Sequence, residues 1–164
     1  MTRSDPRIRP ITPADVPAVV GMVFDLAVYE KSPELCHLTD EQLHAALFGP
    51  TPALFGLVAD SGPGAVGGFA LWFLNFSTWE GVHGIYLEDL YVGPELRGSG
   101  LGKALLVRLA QIAVERGYAR VEWSVLDWNT PSIDFYRGLG AVSMDGWTTF
   151  RLTGPALRTA AGTG

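Results

Sequence analysis

The sequence predicts an α+β fold with a mixed central sheet, and three observations support that prediction. Helix-like segments come early, and the strand-like segments after them are joined by short turns, which is typical of an antiparallel meander. A glycine-rich turn and an amphipathic helix then lead to a segment over 120–126 that is apolar on both faces, which favours a parallel, central strand. The order β-α-α-β-β-β-α-β-α-β therefore places the change from antiparallel to parallel strands at the glycine-rich turn, and we expect a ligand site where the strands splay.

The first strand and the first two helices have clear boundary signals. Residues 7–10 are strand-like, and Thr12-Pro13-Ala14-Asp15 predicts a helix start because it offers an N-cap, an early proline and an acidic first turn. The second helix covers 39–48 and ends at Gly49-Pro50-Thr51-Pro52. The apolar face of the first helix recurs at helical spacing and consists of Val16, Val19, Val20, Val23, Phe24 and Ala27.

The middle of the chain has the pattern of a strand meander. Gly67-Gly68 interrupts a long aromatic strand and indicates a β-bulge. The predicted strands cover 54–60, 65–76 and 85–92, with a turn at 61–64 and a loop at 77–84.

The C-terminal half alternates helices and strands. A helix over 101–116 is closed by Gly117, and a strand over 120–126 follows it. Asn129-Thr130-Pro131-Ser132 opens a short helix that ends near 138–140, and 147–152 is the predicted last strand. The buried stripe of the longer helix is Leu101, Leu105, Leu109 and Ile112. We expect a single domain over 1–164, with its core at about 7–153 and a loosely held tail over 154–164.

Composition and charge exclude several classes of protein. With 164 residues, 48% of them hydrophobic and 18% charged, the chain is expected to be globular with its own core. The net charge of −5 disfavours a nucleic-acid partner, and no apolar run is long enough for a membrane partner. The segment 1–10 lacks an apolar signal core, which predicts a cytoplasmic protein. Cys36 is a lone cysteine, and because His37, His44 and His83 have no metal-ligand spacing we expect no metal.

The stretch Leu96-Arg97-Gly98-Ser99-Gly100-Leu101-Gly102-Lys103 is the strongest sign of a ligand site. A glycine-rich turn that opens a helix offers unpaired backbone N–H groups and a positive dipole end, so it predicts phosphate binding. Spacing excludes two kinds of phosphate loop. Ala104 stands where a P-loop needs a hydroxyl, and Lys103 takes the place of the third glycine in a dinucleotide fingerprint.

The spacing of Arg97, Gly100 and Gly102 matches the pattern [QR]-x-x-G-x-[GA]. This pattern resembles the pyrophosphate loop of the GNAT N-acetyltransferases, which use acetyl-coenzyme A (acetyl-CoA). The resemblance implies that the backbone amides of 98–103 hold the pyrophosphate, where the missing glycine side chains permit close approach. The residues alone leave two alternatives open, a turn and helix start without a ligand, and Lys103 as a merely solvated side chain.

A second segment, 126–141, resembles the GNAT pattern in which a strand ends at an asparagine and F/L-Y-x-x-x-G-A closes a short helix. The resemblance implies that Asn129 contacts the pantetheine arm and that the Tyr136 phenol points toward the cofactor sulfur. The residues alone leave two alternatives open. In the first, Asn129 is only the N-cap of the helix, and in the second, Tyr136 is a tyrosine of the core.

Further segments resemble one branch of that family, the diamine (spermidine/spermine) acetyltransferases and their thialysine-acetylating relatives. The resemblance runs from about Ile8 to Leu152 and implies a homodimer. Its segments are Leu26-Ala27-Val28-Tyr29-Glu30, Phe76-Ser77-Thr78-Trp79-Glu80-Gly81, Ile85 to Val92, Leu126-Asp127-Trp128-Asn129 and Asp145-Gly146-Trp147.

Acetyl transfer to an amine needs a neutral nitrogen, whereas an alkylamine with a pKa of about 10.4 is protonated at neutral pH. A general base must therefore remove a proton. Strand alternation is expected to put Glu88 and Asp89 on opposite faces, with Asp89 in a structural ion pair or cap. The resemblance implies that Glu88 faces the site as the base, directly or through water, and a carboxylate that only binds substrate is the alternative. Tyr136 is the implied acid for the thiolate, and the N–H near Leu90 is the oxyanion donor.

The predicted site has three groups of residues. The catalytic residues are Glu88 and Tyr136. The cofactor-binding residues are Leu90, Tyr91, Val92, Arg97, Gly98, Ser99, Gly100, Leu101, Gly102, Lys103, Asn129, Ser132 and Tyr136. Carboxylates suit a distal ammonium and aromatic rings attract cations, so the implied substrate-binding residues are Tyr29, Glu30, Trp79, Glu88 and Asp145.

The predicted activity is direct transfer of an acetyl group from acetyl-CoA to a primary amine of a small molecule, either a di- or polyamine or a lysine-like amino acid such as thialysine. Asp145 stands where the branch has glutamate, and Leu54-Phe55-Gly56 replaces a more polar stretch, so these departures concern the amine and not the cofactor. Two alternatives stay open. One is a protein or peptide N-acetyltransferase with an open groove around Tyr29 and Trp79, and the other is a non-catalytic acyl-CoA-binding sensor.

Overall fold

The computed structural model describes residues 3–163 and divides the chain into two compact units, one ending at Ser124 and the other beginning at Val125. The outermost residues of the expected domain, 1, 2 and 164, lie outside the described residues. A search of the described residues for helices long and apolar enough to cross a membrane finds none.

The first unit is built on a sheet with the strand order β1-β2-β3-β4-β5. Neighbouring strands are antiparallel from β1 to β4, whereas β5 runs parallel to β4. The mixed sheet of the predicted α+β fold is therefore confirmed. The strands are β1 Ile8–Pro10, β2 Phe55–Gly62, β3 Ala65–Ser77, β4 Val82–Val92 and β5 Val121–Glu122.

Thr12 precedes a 3-10 turn over Pro13–Asp15, so α1 (Val16–Tyr29) begins three residues later than its capping signal predicted, whereas α2 (Asp40–Phe48) begins directly after the predicted Thr39. Before α1, the Asp15 carboxylate accepts a hydrogen bond from the Thr12 N–H at 2.8 Å and forms an ion pair with Arg9 of β1 at 2.7 Å. Before α2, Thr39 and Gln42 form a capping box. The third helix, α3, covers Leu101–Glu115.

The core of this unit lies on both faces of the sheet. All four residues of the predicted α3 stripe are buried. On the other face, α1 and α2 pack against the sheet in a cluster that consists of Ile11, Val16, Val19, Leu43, Leu47, Val58, Phe69, Leu71 and Tyr91. Phe24, which the helical spacing had assigned to the apolar face of α1, is 49% exposed instead, because it falls outside the stripe that Val16 and Val19 define.

The predicted bulge lies at Gly67, where the register between β2 and β3 shifts. A side chain at Gly67 would collide with Leu96, which precedes the glycine-rich turn, and the Gly67 carbonyl accepts a hydrogen bond from Gly93 N–H at 2.9 Å. Gly67 therefore lets the segment that leads into α3 pack directly on β3.

The second unit contains α4 (Thr130–Gly138) and α5 (Gly154–Ala160). The predicted start of α4 is confirmed, because the Asn129 side chain accepts a hydrogen bond from Ser132 N–H at 3.4 Å. The segment 154–164, expected to be a loosely held tail, contains the helix Gly154–Ala160, and Pro155 in its first turn favours a helix start.

Two predicted strands differ from the structure. The strand expected over 120–126 is only Val121–Glu122, and no ladder among the described residues includes the last strand expected over 147–152. Both segments have apolar residues typical of strands, but a strand also needs a partner within hydrogen-bonding distance. A sequence pattern does not report that partner.

Candidate active site

The register between β3 and β4 shifts in the middle of β4. Leu71 lies opposite Asp89 and Trp72 lies opposite Leu87, so Glu88 has no partner on β3 and forms a β-bulge. Because paired residues share a face, Asp89 lies on the face of Leu71, which α1 covers. The bulge interrupts the strict alternation on which the expected separation of Glu88 and Asp89 rested.

The bulge creates an acidic cluster, which we define as Glu30, Glu88 and Asp89. Burial, followed by the negative charges of Glu88 and Glu30, raises the pKa of Asp89 to about 6. Burial also raises the pKa of Glu30, which follows the last residue of α1. Among residues 3–163 no hydrogen bond or salt bridge neutralises the Asp89 carboxylate, so the structural ion pair expected for it is absent there. The cluster can attract a cation and accept a proton near neutral pH.

One edge of β4 is left without a strand partner beside this cluster. Strand β5 pairs with β4 only at Ile85 and Tyr86, and in the described part of the chain no strand continues along Leu87 to Val92. Backbone N–H and C=O groups on that edge are therefore available to an extended ligand, which can bind as an added strand would. This is the splayed position that the order of elements predicted.

The glycine loop, defined as residues 97–103, opens α3 next to that edge. Gly98 and Gly100 have φ values of 86° and 82°, which L-residues with a side chain rarely adopt. The helix begins after Gly100, and no side chain caps the first N–H groups of α3. The nearest atoms to a methyl group at Gly102 would belong to Val92 and Leu90, at 3.8 and 3.9 Å. The loop therefore has three positions without a side chain, at Gly98, Gly100 and Gly102, where a phosphate can approach the backbone closely.

Arg97 connects the glycine loop with the residues beside the acidic cluster. Its guanidinium carbon lies 5.2 Å from the centre of the Tyr29 ring and 5.9 Å from the centre of the Tyr91 ring. Tyr29 is the last residue of α1, and Tyr91 lies on the same face of β4 as Asp89. Arg7 donates a hydrogen bond to the Ser99 carbonyl at 3.3 Å and ties the loop to the segment before β1. Lys103 is exposed.

Trp79, a predicted substrate contact, lies in the turn between β3 and β4 and is 88% exposed. Asp89 lies seven residues beyond the start of β4 at Val82, which is about 20 Å along an extended strand. Within the first unit, Trp79 is therefore not part of the acidic cluster, and its contact with substrate stays a prediction.

The remaining predicted residues belong to the second unit. Asn129 is buried at the start of α4, and Tyr136 is half-buried on that helix. Asp145 is exposed and accepts a hydrogen bond from the Ser143 hydroxyl at 3.2 Å. Their roles toward acetyl-CoA and the amine stay predictions. In the described residues, no group of three or more His, Cys, Asp or Glu side chains has the geometry of a metal site.

Sequence reasoning gave Asp89 a structural role only. The carboxylate pair Glu88-Asp89 is visible in the sequence, but the residue that faces α1 depends on a bulge that no glycine marks at this point. The signal that could have found it is the presence of two adjacent acids in a strand that is otherwise apolar and aromatic, because such a strand rarely tolerates a buried carboxylate without a function.

A glycine loop that opens a helix beside a splayed, bulged strand is the architecture of an acetyltransferase site, and comparison with known proteins agrees with it. Residues 22–141 match the model of the acetyltransferase (GNAT) family, and the chain belongs to that family. The protein is accordingly an acetyltransferase.

Several relatives are similar over nearly the whole chain. A thialysine N-epsilon-acetyltransferase from Bos taurus is 38% identical, covering 94% of this chain and 96% of the relative. An L-ornithine N5-acetyltransferase from Arabidopsis thaliana is 31% identical over 93% of this chain and 86% of its own length. Among solved structures, an integron cassette protein from the mobile metagenome of V. cholerae superposes with a TM-score of 0.78 at 24% identity, covering 94% of this chain and 96% of its own, which shows a shared fold.

Proposed function

We propose that this protein transfers an acetyl group from acetyl-CoA to a primary amine of a small molecule, either a di- or polyamine or a lysine-like amino acid such as thialysine. The observation that supports it most is the acidic cluster of Glu30, Glu88 and Asp89 beside an unpaired edge of β4. A cationic amine suits three carboxylates, and an extended pantetheine arm suits a free strand edge. The names of the similar thialysine and ornithine acetyltransferases support the same class of substrate.

The first unit has a binding path for acetyl-CoA. The amides of the glycine loop at Gly98–Lys103 would bind the pyrophosphate, and Lys103 would add positive charge nearby. The Arg97 side chain, which the motif implied as a further cofactor contact, lies over the Tyr29 and Tyr91 rings instead. Leu90, Tyr91 and Val92 would pair with the amides of the pantetheine arm, and the absence of a side chain at Gly102 keeps that approach open. From the second unit, Asn129 and Ser132 are the proposed partners of the arm.

The proposed reaction begins with removal of a proton from the bound ammonium. Glu88 is the base implied by the resemblance, whereas Asp89 is the carboxylate whose pKa, about 6 through burial and neighbouring charges, is better matched to proton transfer near neutral pH. We propose that Asp89 accepts the proton and that the exposed Glu88 guides the amine and the proton outward. Tyr29 and Glu30 would contact the distal part of the substrate.

The transfer itself needs no acetylated enzyme. The amine nitrogen attacks the thioester carbonyl, a C–N bond forms, the C–S bond breaks, and the second proton leaves the nitrogen as the amide forms. The N–H near Leu90 is the proposed donor to the oxyanion, and Tyr136 is the proposed donor of a proton to the departing thiolate. The products are the N-acetyl amine, the free thiol of coenzyme A and one proton.

The test is a thiol-release assay with acetyl-CoA and a panel of amines that contains diamines, spermidine, lysine, thialysine, an aminoglycoside and a lysine-containing peptide. We expect turnover with at least one small diamine or lysine-like amino acid, and Tyr136→Phe is expected to lower its kcat. A best substrate that is a peptide would favour the protein acetyltransferase, and tight acetyl-CoA binding without turnover of any amine would favour the sensor. Either result would overturn the proposal.

We also propose that the protein is a homodimer, and cytoplasmic localisation stays a prediction from the sequence. The support for a dimer is the stretch 142–152 of the second unit, in which Phe150 is 92% and Trp147 is 72% exposed. Contiguous exposed apolar residues are typical of an interface. Light scattering coupled to size-exclusion chromatography is expected to give twice the 17.7 kDa mass of one chain, and Phe150→Asp is expected to reduce it to that of a monomer.

A further inference from the structure

The side chain of Arg97 points away from the glycine loop that contains its backbone. Its guanidinium lies over the rings of Tyr29 and Tyr91, at 5.2 and 5.9 Å from the ring centres. Its Nε lies 3.4 Å from the Val92 carbonyl oxygen, close to the limit of a hydrogen bond. The residue therefore connects three elements, namely the loop, the end of β4 and the last turn of α1.

The positive charge of Arg97 acts on neighbouring groups of the protein itself. The Tyr91 side chain is almost fully buried, and burial together with the carboxylates of Asp25 and Glu95 raises its pKa, whereas the Arg97 charge acts in the opposite direction. A guanidinium that lies over two aromatic rings is oriented by cation–π attraction to both of them. The neighbours of the Arg97 side chain are therefore groups of the protein, whereas the loop motif alone implied a contact with the pyrophosphate.

The last turn of α1 carries the Tyr29 ring that Arg97 contacts. The helix ends with bonds from Glu30 N–H to the Leu26 carbonyl at 2.8 Å and from Ser32 N–H to the Ala27 carbonyl at 2.9 Å. Between them Lys31 has a φ of 64°, which costs free energy for a residue other than glycine. This turn carries Tyr29 and Glu30, the amine-side residues of the candidate site. The ring that Arg97 contacts is therefore adjacent in sequence to Glu30 of the acidic cluster.

We propose that Arg97 is a positioning residue that couples occupancy of the glycine loop to the geometry of the amine site, by stacking on Tyr29 and holding the last turn of α1 against β4. This inference rests on the proposed function, since it assigns the amine to the acidic cluster. When the loop binds acetyl-CoA, its backbone at Arg97 becomes fixed, and the stacked side chain carries that order to Tyr29 and Glu30. Binding of the acetyl donor thereby favours the arrangement of Tyr29 and Glu30 that the structure already contains.

The test is a double-mutant cycle between Arg97→Gln and Tyr29→Leu, with Tyr29→Phe as the matched variant that keeps the aromatic ring. We expect each of the two disruptive changes to raise the KM for the amine about tenfold, and the double variant to raise it no further. The Kd for acetyl-CoA, measured by calorimetry without amine, is expected to change less than about twofold, and Tyr29→Phe is expected to preserve the coupling. If Arg97→Gln instead raises the Kd for acetyl-CoA tenfold and leaves the amine KM unchanged, Arg97 is a phosphate ligand and the proposal fails.

A second measurement does not depend on turnover. Hydrogen exchange of residues 26–32 is expected to slow when acetyl-CoA binds the wild-type protein, and this protection is expected to disappear in Arg97→Gln and Tyr29→Leu. Protection that persists in both variants, or that is absent from the wild type, overturns the coupling even if no amine is acetylated. If wild type turns over no amine but shows protection that Arg97→Gln removes, the proposed function fails and the coupling stands. Arg97→Lys, which keeps the charge but not the planar stack, replaces Arg97→Gln if the latter does not fold.

Discussion

The two faces of strand β4 carry opposite chemistry. On the face toward α1, Asp89 is half-buried near the carboxylates of Glu88 and Glu30, and Tyr91 is buried beneath the Arg97 guanidinium. On the face toward α3, Leu90 and Val92 are apolar and lie against Gly102, where a side chain is missing. The difference teaches that one strand can serve two substrates, because charge on one face suits an amine and close backbone approach on the other suits acetyl-CoA.

The bulge at Glu88 makes this division possible. Before the bulge, Leu87 pairs with Trp72, and after it Asp89 pairs with Leu71. One extra residue therefore turns a carboxylate toward α1 while the following Leu90 turns toward α3. Strict alternation from Leu87 would instead turn Glu88 toward α1 and Asp89 toward α3, so the bulge decides which of the two carboxylates lies on the α1 face.

The largest expected effect comes from removing the charge of Asp89, on the α1 face of β4 that we propose for the amine. We expect Asp89→Asn to lower kcat/KM for the best amine by about 100-fold or more, which is the usual contribution of a general base. The Kd for acetyl-CoA should stay within about twofold, because the α3 face is unchanged. Steady-state rates and calorimetry measure the two quantities.

Glu88→Gln is the matched control for that experiment, since it removes an exposed carboxylate from the same bulge. We expect it to cost less activity than Asp89→Asn. The reverse order would assign the base to Glu88, and proton acceptance would then belong to the exposed carboxylate and not to the buried one.

Asp89→Asn, which is expected to lower activity, is expected to raise the free energy of unfolding. Burial and the charges of Glu88 and Glu30 raise the pKa of Asp89 in the folded state from 3.8 to about 6, so the stability linked to its proton is fully present below pH 3.8 and is lost as pH rises through 6. Above pH 6 the wild type therefore holds a costly buried charge. We expect Asp89→Asn to raise the free energy of unfolding by about 2 kcal/mol at pH 7.5.

Urea unfolding at pH 7.5 and pH 4.5 measures this effect. The advantage of Asp89→Asn should shrink at pH 4.5, where the wild-type carboxyl is mostly protonated in the fold. An equal advantage at both pH values would mean that the charge of Asp89 is not its source.

A third, smaller effect is expected in the pH dependence of activity. Because the pKa of Asp89 is about 6, raised by burial and the two neighbouring carboxylates, the ratio of wild-type to Asp89→Asn kcat/KM should fall about tenfold between pH 7 and pH 5. The ratio removes the titration of the amine, which is common to both proteins. A ratio that does not change across this range would contradict proton acceptance by Asp89.

The features beside the α3 face of β4 could be predicted from the sequence better than those on the α1 face. The glycine loop, the start of α3 and the Asn129 cap follow from glycine spacing and capping, which are local signals that a sequence states directly. The family and the mixed sheet followed from them. The acidic face did not, because the side on which Asp89 lies depends on a pairing with Leu71 that is distant in sequence. The stacking of Arg97 on Tyr29 could not be predicted for the same reason, because a contact between residues 29 and 97 is set by tertiary structure.

The smallest expected effect tests the α3 face with a pair of glycines. Gly102 and Gly21 both lie inside helices, so replacing either with alanine should stabilise the fold by about 0.5–1 kcal/mol. Neither change meets a close contact, since a methyl group at Gly102 lies no nearer than 3.8 Å to any neighbour and one at Gly21 has none within 4 Å. Only the methyl group at Gly102 faces the proposed path of acetyl-CoA. We therefore expect Gly102→Ala to raise the KM for acetyl-CoA about fivefold while the amine KM stays unchanged, and Gly21→Ala to alter neither. Equal acetyl-CoA KM values in the two variants, at matched thermal stability, would mean that close approach at Gly102 does not contribute to cofactor binding.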